Sequence, residues 1–215
     1  MKMLVAPSIL SADFGKMAEA VENVKLWGAD WVHCDVMDGV YVPNITFGMP
    51  MVKALRKYSD MVLDVHLMIT KPEKYVGQFC DAGADIVTFH PEASDDVQGA
   101  LDTIKSKDKK CGLVINADQP FDIVENYLDK IDLLLIMTVQ AGFGGQSFKP
   151  ECVEKAAKGA ELRKKFGYSY QIEIDGGVSP KNVELLKQAG ADVVVAGSSV
   201  FKSENPSLTV KQMQI

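Results

Sequence analysis

The chain carries three histidines, His33, His66 and His90, and each falls at or near the end of a short run rich in β-branched residues. His33 and Asp35 stand two residues apart, the spacing that projects two side chains from one face of a strand. His66 ends a second such run and Asp175 a third. Asp64 and Glu173, each two residues earlier, share those faces at a deeper level. Two imidazoles and two carboxylates converging on one point would bind a divalent cation. That donor set suits zinc first, then iron(II), cobalt or manganese, and hardly suits calcium. Any one of these residues alone is better read as satisfying a loop amide or capping a neighbour. Four of them at matching ends of three strands favour the metal.

A second set of residues suits an anion. Gly142-Phe143-Gly144-Gly145-Gln146, Asp175-Gly176-Gly177 and Gly197-Ser198 each follow a strand-like run. Glycines let backbone amides approach a phosphate closely, and a serine hydroxyl adds a donor. Met37, Met68 and Met137 lie at or just past strand ends, where soft side chains can line a pocket beside a flat intermediate or simply fill the core. His90-Pro91-Glu92 is expected to play a structural or rim role and is assigned no chemistry.

The elements that must position these groups announce themselves as a repeat. Gly-Ala-Asp followed by a β-rich run begins at Gly28, Gly83 and Gly190, each time after an amphipathic helical stretch. The glycine suits a helix C-cap. The separations, about 55 and about 107 residues, approximate two and four copies of a strand-plus-helix unit of about 27. On that grid, strands are expected at Leu4–Leu10, Trp31–Val36, Val62–Leu67, Ile86–His90, Gly112–Asn116, Leu133–Thr138, Gln171–Ile174 and Asp192–Ala196. Helices fall between them, at Lys16–Trp27, Lys74–Ala82, Glu151–Phe166 and Lys181–Ala189 among others. The strands are continuously apolar, as in a parallel sheet covered by helices. The expected architecture is a single (β/α)8 TIM barrel spanning residues 1–215, with a doubly wound open sheet as the alternative. In such a barrel the chemistry sits at the C-terminal ends of the strands, and the loops after the last strands hold phosphate.

The bulk properties remove other classes. With 23 Lys and Arg against 29 Asp and Glu, the formal net charge is −6, which disfavours a nucleic-acid or anionic-membrane surface. The four cysteines form no CxxC pair and are read as free thiols in a reducing compartment. No apolar stretch approaches the ~20 residues of a membrane span. A cytoplasmic enzyme is expected.

The motifs then become specific. PSILSADF at Pro7–Phe14, HCDVMDGVYVPNITFG at His33–Gly48, DVHLMI at Asp64–Ile69, MTV at Met137–Val139, GFGGQ from Gly142 and IDGGV at Ile174–Val178 follow in order. With them the sequence resembles the ribulose-phosphate 3-epimerases over essentially its whole length. The resemblance implies that His33, Asp35, His66 and Asp175 bind one divalent cation per subunit, and that Asp35 and Asp175 double as the acid/base pair. It also implies that Ser8 and His66 touch the sugar. Gly142, Phe143, Gly144, Gly145, Gly176, Gly177, Gly197 and Ser198 would hold the phosphate end. The implied reaction interconverts ribulose 5-phosphate and xylulose 5-phosphate, and the implied assembly is a homo-oligomer, a dimer or a hexamer. Epimerisation next to a ketone needs two acid/base groups on opposite faces of a planar enediolate, which two opposed aspartates provide.

Two departures stand out. The family usually places Pro before GFGGQ, where this chain has Ala141. Its fifth-strand loop commonly reads Asn-Pro-x-Thr-Pro, against Asn116-Ala117-Asp118-Gln119-Pro120 here. Softer loops at the pocket mouth are expected, and with them an open question of substrate length. The rival functions are therefore a 3-epimerase of a longer ketose phosphate such as allulose 6-phosphate, a non-catalytic sugar-phosphate-binding barrel, and a metal-free barrel isomerase or decarboxylase. The non-catalytic barrel has no use for opposed acids. The metal-free enzymes would show a lysine at a strand end, and none is found.

Overall fold

The computed structural model describes residues 2–215. Eight parallel strands follow the order β1-β8-β7-β6-β5-β4-β3-β2: β1 (Leu4–Ala6), β2 (Trp31–Met37), β3 (Val62–Met68), β4 (Ile86–Phe89), β5 (Lys110–Ile115), β6 (Leu133–Met137), β7 (Gln171–Asp175) and β8 (Val193–Val195). Helices alternate with them: α1 (Met17–Leu26), α2 (Met49–Leu55), α3 (Val76–Ala82), α4 (Val97–Lys105), α5 (Asp122–Glu125), α6 (Val153–Phe166), α7 (Val183–Gln188), α8 (Ser198–Phe201) and α9 (Pro206–Met213). The architecture is the (β/α)8 barrel expected from the repeat.

The strands alternate between two apolar environments, which is why they read as unbroken hydrophobic runs. On β2, Val32, Cys34 and Val36 pack outward into the large cluster beneath the helices, while Trp31 points inward. Trp31, Ile86, Leu133 and Val193, one from each even-numbered strand, pack together and fill the bottom of the barrel. This is the alternate-strand layering that makes such a barrel a packed core. The polar residues of the candidate site stand above that layer.

The Gly-Ala-Asp repeat has a structural cause at the N-terminal end of the barrel. Gly28, Gly83 and Gly190 take left-handed conformations where a helix ends, with φ of 79°, 114° and 92°. The aspartate that follows clamps the neighbouring strand at two points. The backbone N–H of Asp85 donates to Leu63 O at 2.9 Å, and its carboxylate accepts from Leu63 N at 2.9 Å. Asp30 does the same to Val5 (3.0 and 3.0 Å) and Asp192 to Ile172 (2.8 and 2.8 Å). Asp132 repeats the clamp on Cys111 at 2.8 and 2.9 Å, although no Gly-Ala precedes it. The clamp thus precedes every even strand and grips the odd strand before it, so the true period is two β/α units.

β1 is shorter than expected. The strand stops at Ala6, Pro7 withholds a ladder donor, and Ser8 caps a single helical turn at Ile9–Ser11. β1 pairs with β8 over three positions, beside the short C-terminal helix α9. The thinner seam lies between β1 and β2, joined by an isolated Ser8–His33 bridge and by bonds from His33 N to Pro7 O and Asp30 N to Val5 O.

Candidate active site

Strand register brings the first two pairs of polar residues together. β2 and β3 run parallel with His33 opposite Asp64 and Asp35 opposite His66. His33 Nδ1 lies 2.6 Å from Asp64 Oδ2, and His66 Nδ1 lies 3.2 Å from Asp35 Oδ1. β7 brings Asp175 to the same level, with its Oδ2 4.0 Å from His33 Nε2. One ligand atom from each of His33, Asp35, His66 and Asp175 lies within 4.8 Å of the other three.

These residues fit a metal on more than proximity. His33 Nε2 is fully buried and makes no hydrogen bond, although Asp35 Oδ1 is only 3.3 Å away. Asp64 takes the other ring nitrogen, so it fixes the imidazole with Nε2 aimed at the two carboxylates. An outer carboxylate orienting a ligating histidine is the usual support of such a site. A second acidic group, His33 with Asp64 and Glu173, also lies within 4.8 Å, but it is deeper and its shared nitrogen is already engaged by Asp64. Burial and the nearby Asp64 push the Glu173 carboxyl well above the ordinary range, which fits a protonated structural acid.

The proton affinities of the two candidate acid/base groups are driven apart. Burial works against the charge of Asp35, but His33 and His66 outweigh it and hold the carboxyl below the usual range. Burial, reinforced by the negative Asp35, raises Asp175 to about 7. Burial likewise opposes charge on His33, yet Asp35 and Asp64 together raise it well above the ordinary imidazole value. His66 is lowered to about 4 by burial, against the pull of Asp35. A cation entering this site must displace protons to reach its ligands.

Ser8 Oγ donates to Asp35 Oδ2 at 2.5 Å, which ties the end of β1 to the site. The pocket above is walled by Ser8, Asp35, Met37, Met68, Met137 and Asp175, and by Gly142, Phe143, Gly144, Gly145, Gly176, Gly177, Gly197 and Ser198. His33 and His66 lie beneath that wall, both fully buried. The three methionines serve both readings at once, since they are buried in one small cluster and also face the pocket. Gly177 has φ 64°, and a Cβ there would meet Phe148 N at 2.6 Å, so only glycine permits this close approach. Leu10, Ser11, Gln146 and Ser199 also line the pocket; the first three fall inside motifs quoted from the sequence without a role of their own, and Ser199 lies outside those motifs.

The loops that lack the expected prolines are tied by side chains instead. Lys155 Nζ donates to the carbonyls of Asn116 and Ala117 at 3.0 and 2.8 Å, and Asn116 Oδ1 accepts from Ala141 N at 3.4 Å. Asn44 Nδ2 holds Gly142 O at 3.1 Å. His90, given only a structural or rim role from sequence, is fully buried with its Nε2 2.9 Å from His66 Nε2.

Comparison with known proteins bears on this arrangement directly. Two solved barrels match nearly the whole chain: a 3-keto-L-gulonate-6-phosphate decarboxylase from Vibrio cholerae (TM-score 0.73, 17% identity, 99% of this chain and 96% of that one) and an orotidine 5'-phosphate decarboxylase from Pyrococcus horikoshii (TM-score 0.71, 14% identity, 98% and 97%). At that identity the likeness is one of fold alone. Sequence relatives are much nearer. The chain is 48% identical to a ribulose-phosphate 3-epimerase of Synechocystis, covering 94% of this chain and 89% of that protein. It is 42% identical to the Escherichia coli enzyme of the same name, over 98% and 94%. The family model described as "Ribulose-phosphate 3 epimerase family" matches residues 4–201. With 48% identity to a curated relative over nearly its full length, this chain belongs to the ribulose-phosphate 3-epimerase family.

Proposed function

We propose that this chain interconverts D-ribulose 5-phosphate and D-xylulose 5-phosphate, removing the proton at carbon 3 and returning one to the opposite face of an enediolate. The observation that carries the reading is the pair Asp35 and Asp175. Both line one pocket, on β2 and β7, with β1 and β8 between them along the barrel wall. A planar substrate lying between two carboxylates can be deprotonated by one and reprotonated by the other. In the metal-free site the two carboxyls are driven to opposite proton affinities, Asp35 low and Asp175 up to about 7, a separation that suits two groups trading the base and acid roles. The reverse reaction exchanges their roles.

His33, Asp35, His66 and Asp175 are the residues that would hold one divalent cation, with zinc the first choice and iron(II), cobalt or manganese also suited to the donors. Such a cation supplies Lewis-acid stabilisation of the charge that develops on the substrate oxygens. Ser8, which lines the pocket, is placed to contact the sugar end, whereas His66, buried beneath the wall, would act on the sugar only through the cation. The amides of the Gly142–Gly145, Gly176-Gly177 and Gly197-Ser198 turns cradle the phosphate, which lets an acidic protein bind an anion locally. Met37, Met68 and Met137 press an apolar face on the enediolate and exclude water.

The four cysteines are free and buried, which suits the cytoplasm. No helix is long and apolar enough to cross a membrane among the described residues. Exposed Val40 and Ile45 on the loop after β2 support assembly into a homo-oligomer.

The test is incubation with ribulose 5-phosphate in heavy water, following carbon 3 by proton NMR with and without a strong chelator. Formation of deuterated xylulose 5-phosphate, abolished by the chelator and restored by zinc, is expected. No exchange after metals are restored would remove ribulose 5-phosphate as the substrate and leave longer ketose phosphates to be tried.

A further inference from the structure

We propose that the loop after β2, residues 38–46, is a strut that sets the chain length of the ketose phosphate. It fixes the distance from Asp35 to the turn at Gly142, with Thr46 and Asn44 as the positioning residues that grip the two sides. The inference rests on the proposed roles of Asp35 as an acid/base group and of the glycine turns as a phosphate cradle.

The foot of the strut is locked to β2. Thr46 Oγ1 donates to Asp35 O at 2.7 Å and accepts from Met37 N at 3.0 Å, and Thr46 N donates to Met37 O at 3.3 Å. Asp38 and Ile45 form an antiparallel bridge, so the loop returns on itself as a short hairpin. Asp38 stiffens the bend. Its Oδ1 accepts from Val40 N and Tyr41 N at 2.8 and 2.9 Å, and its Oδ2 accepts from Thr70 N, past the end of β3, at 2.7 Å. Tyr41 Oη donates to Glu92 Oε1, past the end of β4, at 2.8 Å. A loop bonded within itself and to its neighbours on both strands moves as one body rather than as a free segment.

The far side of the strut is pressed against the phosphate turn. Asn44 Nδ2 donates to Gly142 O at 3.1 Å. Gly142 has φ 117°, and a Cβ there would stand 3.1 Å from Val42 Cβ, so glycine is what lets the two loops approach this closely. Val42 is in turn buried in one cluster with Met37, Met137, Val139 and Ala141. Neither Asn44 nor Thr46 lines the pocket, so each acts through the backbone it holds. One element therefore grips Asp35 and Gly142 at once, through side chains two residues apart. Carbon 3 must lie at the acid/base pair while the phosphate lies in the turn. A fixed span between those two places admits one number of carbons between carbon 3 and the phosphate.

The test compares kcat/KM for D-ribulose 5-phosphate and for D-allulose 6-phosphate, which has one more carbon in that interval, in the zinc-loaded protein. Asn44→Leu is close in size and cannot donate. Its KM for ribulose 5-phosphate should rise about tenfold, the loss of one hydrogen bond, with kcat within about threefold of the parent. Its preference for the favoured sugar should fall at least about fivefold, because a turn cut free of the strut settles at either distance. Thr46→Val frees the other side and should show the same loss of preference with kcat lowered about tenfold. Thr46→Ser keeps the hydroxyl and should restore both, so the threonine pair carries the test if Asn44→Leu fails to fold. An unchanged preference between the sugars in Asn44→Leu overturns the proposal even if rate is lost on both, and so does parent-like kcat in Thr46→Val. A parent protein that favours the six-carbon sugar would remove the ribulose 5-phosphate reading and leave the strut to stand or fall on the same change in preference. A parent that turns over neither sugar removes both.

Discussion

The aspartate clamps at the base of the barrel lead to a ranked stability experiment. Replacing Asp85 with alanine removes the acceptor for Leu63 N and the carboxylate partner of Arg56, whose Nη1 lies 2.7 Å from Asp85 Oδ2 with both side chains about two-thirds buried, and leaves the guanidinium on the carbonyls of Ser59, Met61 and Gly83. A charged hydrogen bond contributes ~1.5–3 kcal/mol and a neutral one ~0.5–1.5 kcal/mol, and partial exposure trims the ionic share. Asp85→Ala should therefore cost about 2 kcal/mol. Asp132 grips Cys111 N alone, without an arginine, so Asp132→Ala should cost about 1 kcal/mol. Urea unfolding followed by circular dichroism gives both values at neutral pH. The pH dependence supplies a second handle. Burial opposes the charge of Asp85, but Leu63 N–H, Arg56 and Lys109 outweigh it, so its carboxyl is lowered in the fold. A carboxyl lowered by folding contributes stability above its unfolded pKa and loses it as pH falls through its folded pKa. The gap between Asp85→Ala and the parent protein should thus be full at pH 7 and narrow as pH drops below about 4. If both variants unfold within about 0.5 kcal/mol of the parent, the clamps are incidental contacts and the account of the repeat is wrong.

Asp175→Asn should lower kcat by about 10²–10⁴-fold while the protein stays folded, because the amide cannot exchange a proton with carbon 3. A coupled assay that finds more than a third of the parent rate would remove Asp175 from the acid/base pair. In Gly177→Ala the added methyl meets Phe148 N at 2.6 Å in a left-handed backbone, so the phosphate turn must shift and KM should rise by an order of magnitude or more. An unchanged KM for the sugar phosphate would dissociate that turn from phosphate binding. Burial pushes the thiols of Cys34 and Cys111 up to about 12 and that of Cys80 to about 11, so thiolate is scarce at pH 8. Native protein should react with no aromatic disulfide reagent on the minute scale, whereas denatured protein should titrate all four cysteines; a fast native thiol would contradict the packing.

Much of the site was readable because its chemistry follows local rules. The two-residue spacing of His33 and Asp35 puts both on one strand face whatever the fold, and the glycine turns need no partner to be recognised. What escaped depended on register between strands. That Asp64 would meet His33, and that His90 would meet His66 through the opposite nitrogen, follows from how β2, β3 and β4 slide against each other. A single chain does not record that offset. The Gly-Ala-Asp phrase, recurring at two and four units, pointed to the repeat but missed one clamp, because Asp132 performs the same task without the phrase. β1 was drawn too long because Pro7 and Ser8 sit among apolar neighbours, and the serine's capping role outweighs their pattern.

The seam between β1 and β2 gives the substrate a mechanical part. Ser8, Ser11 and Gly197 wall the pocket on one side of that joint, and Asp35 and Met37 on the other. A ligand that touches both sides acts as a latch across the place where the barrel has fewest backbone bonds. Occupancy at a hundredfold excess over Kd adds about 2.7 kcal/mol to the folded state. The same ligand also meets residues at the ends of β3, β6, β7 and β8, so it braces the seam as part of the whole rim. Amide hydrogen exchange should be quickest along β1 in the free protein and slow there first as sugar phosphate is added. A substrate held there would fasten the cylinder at its thinnest joint.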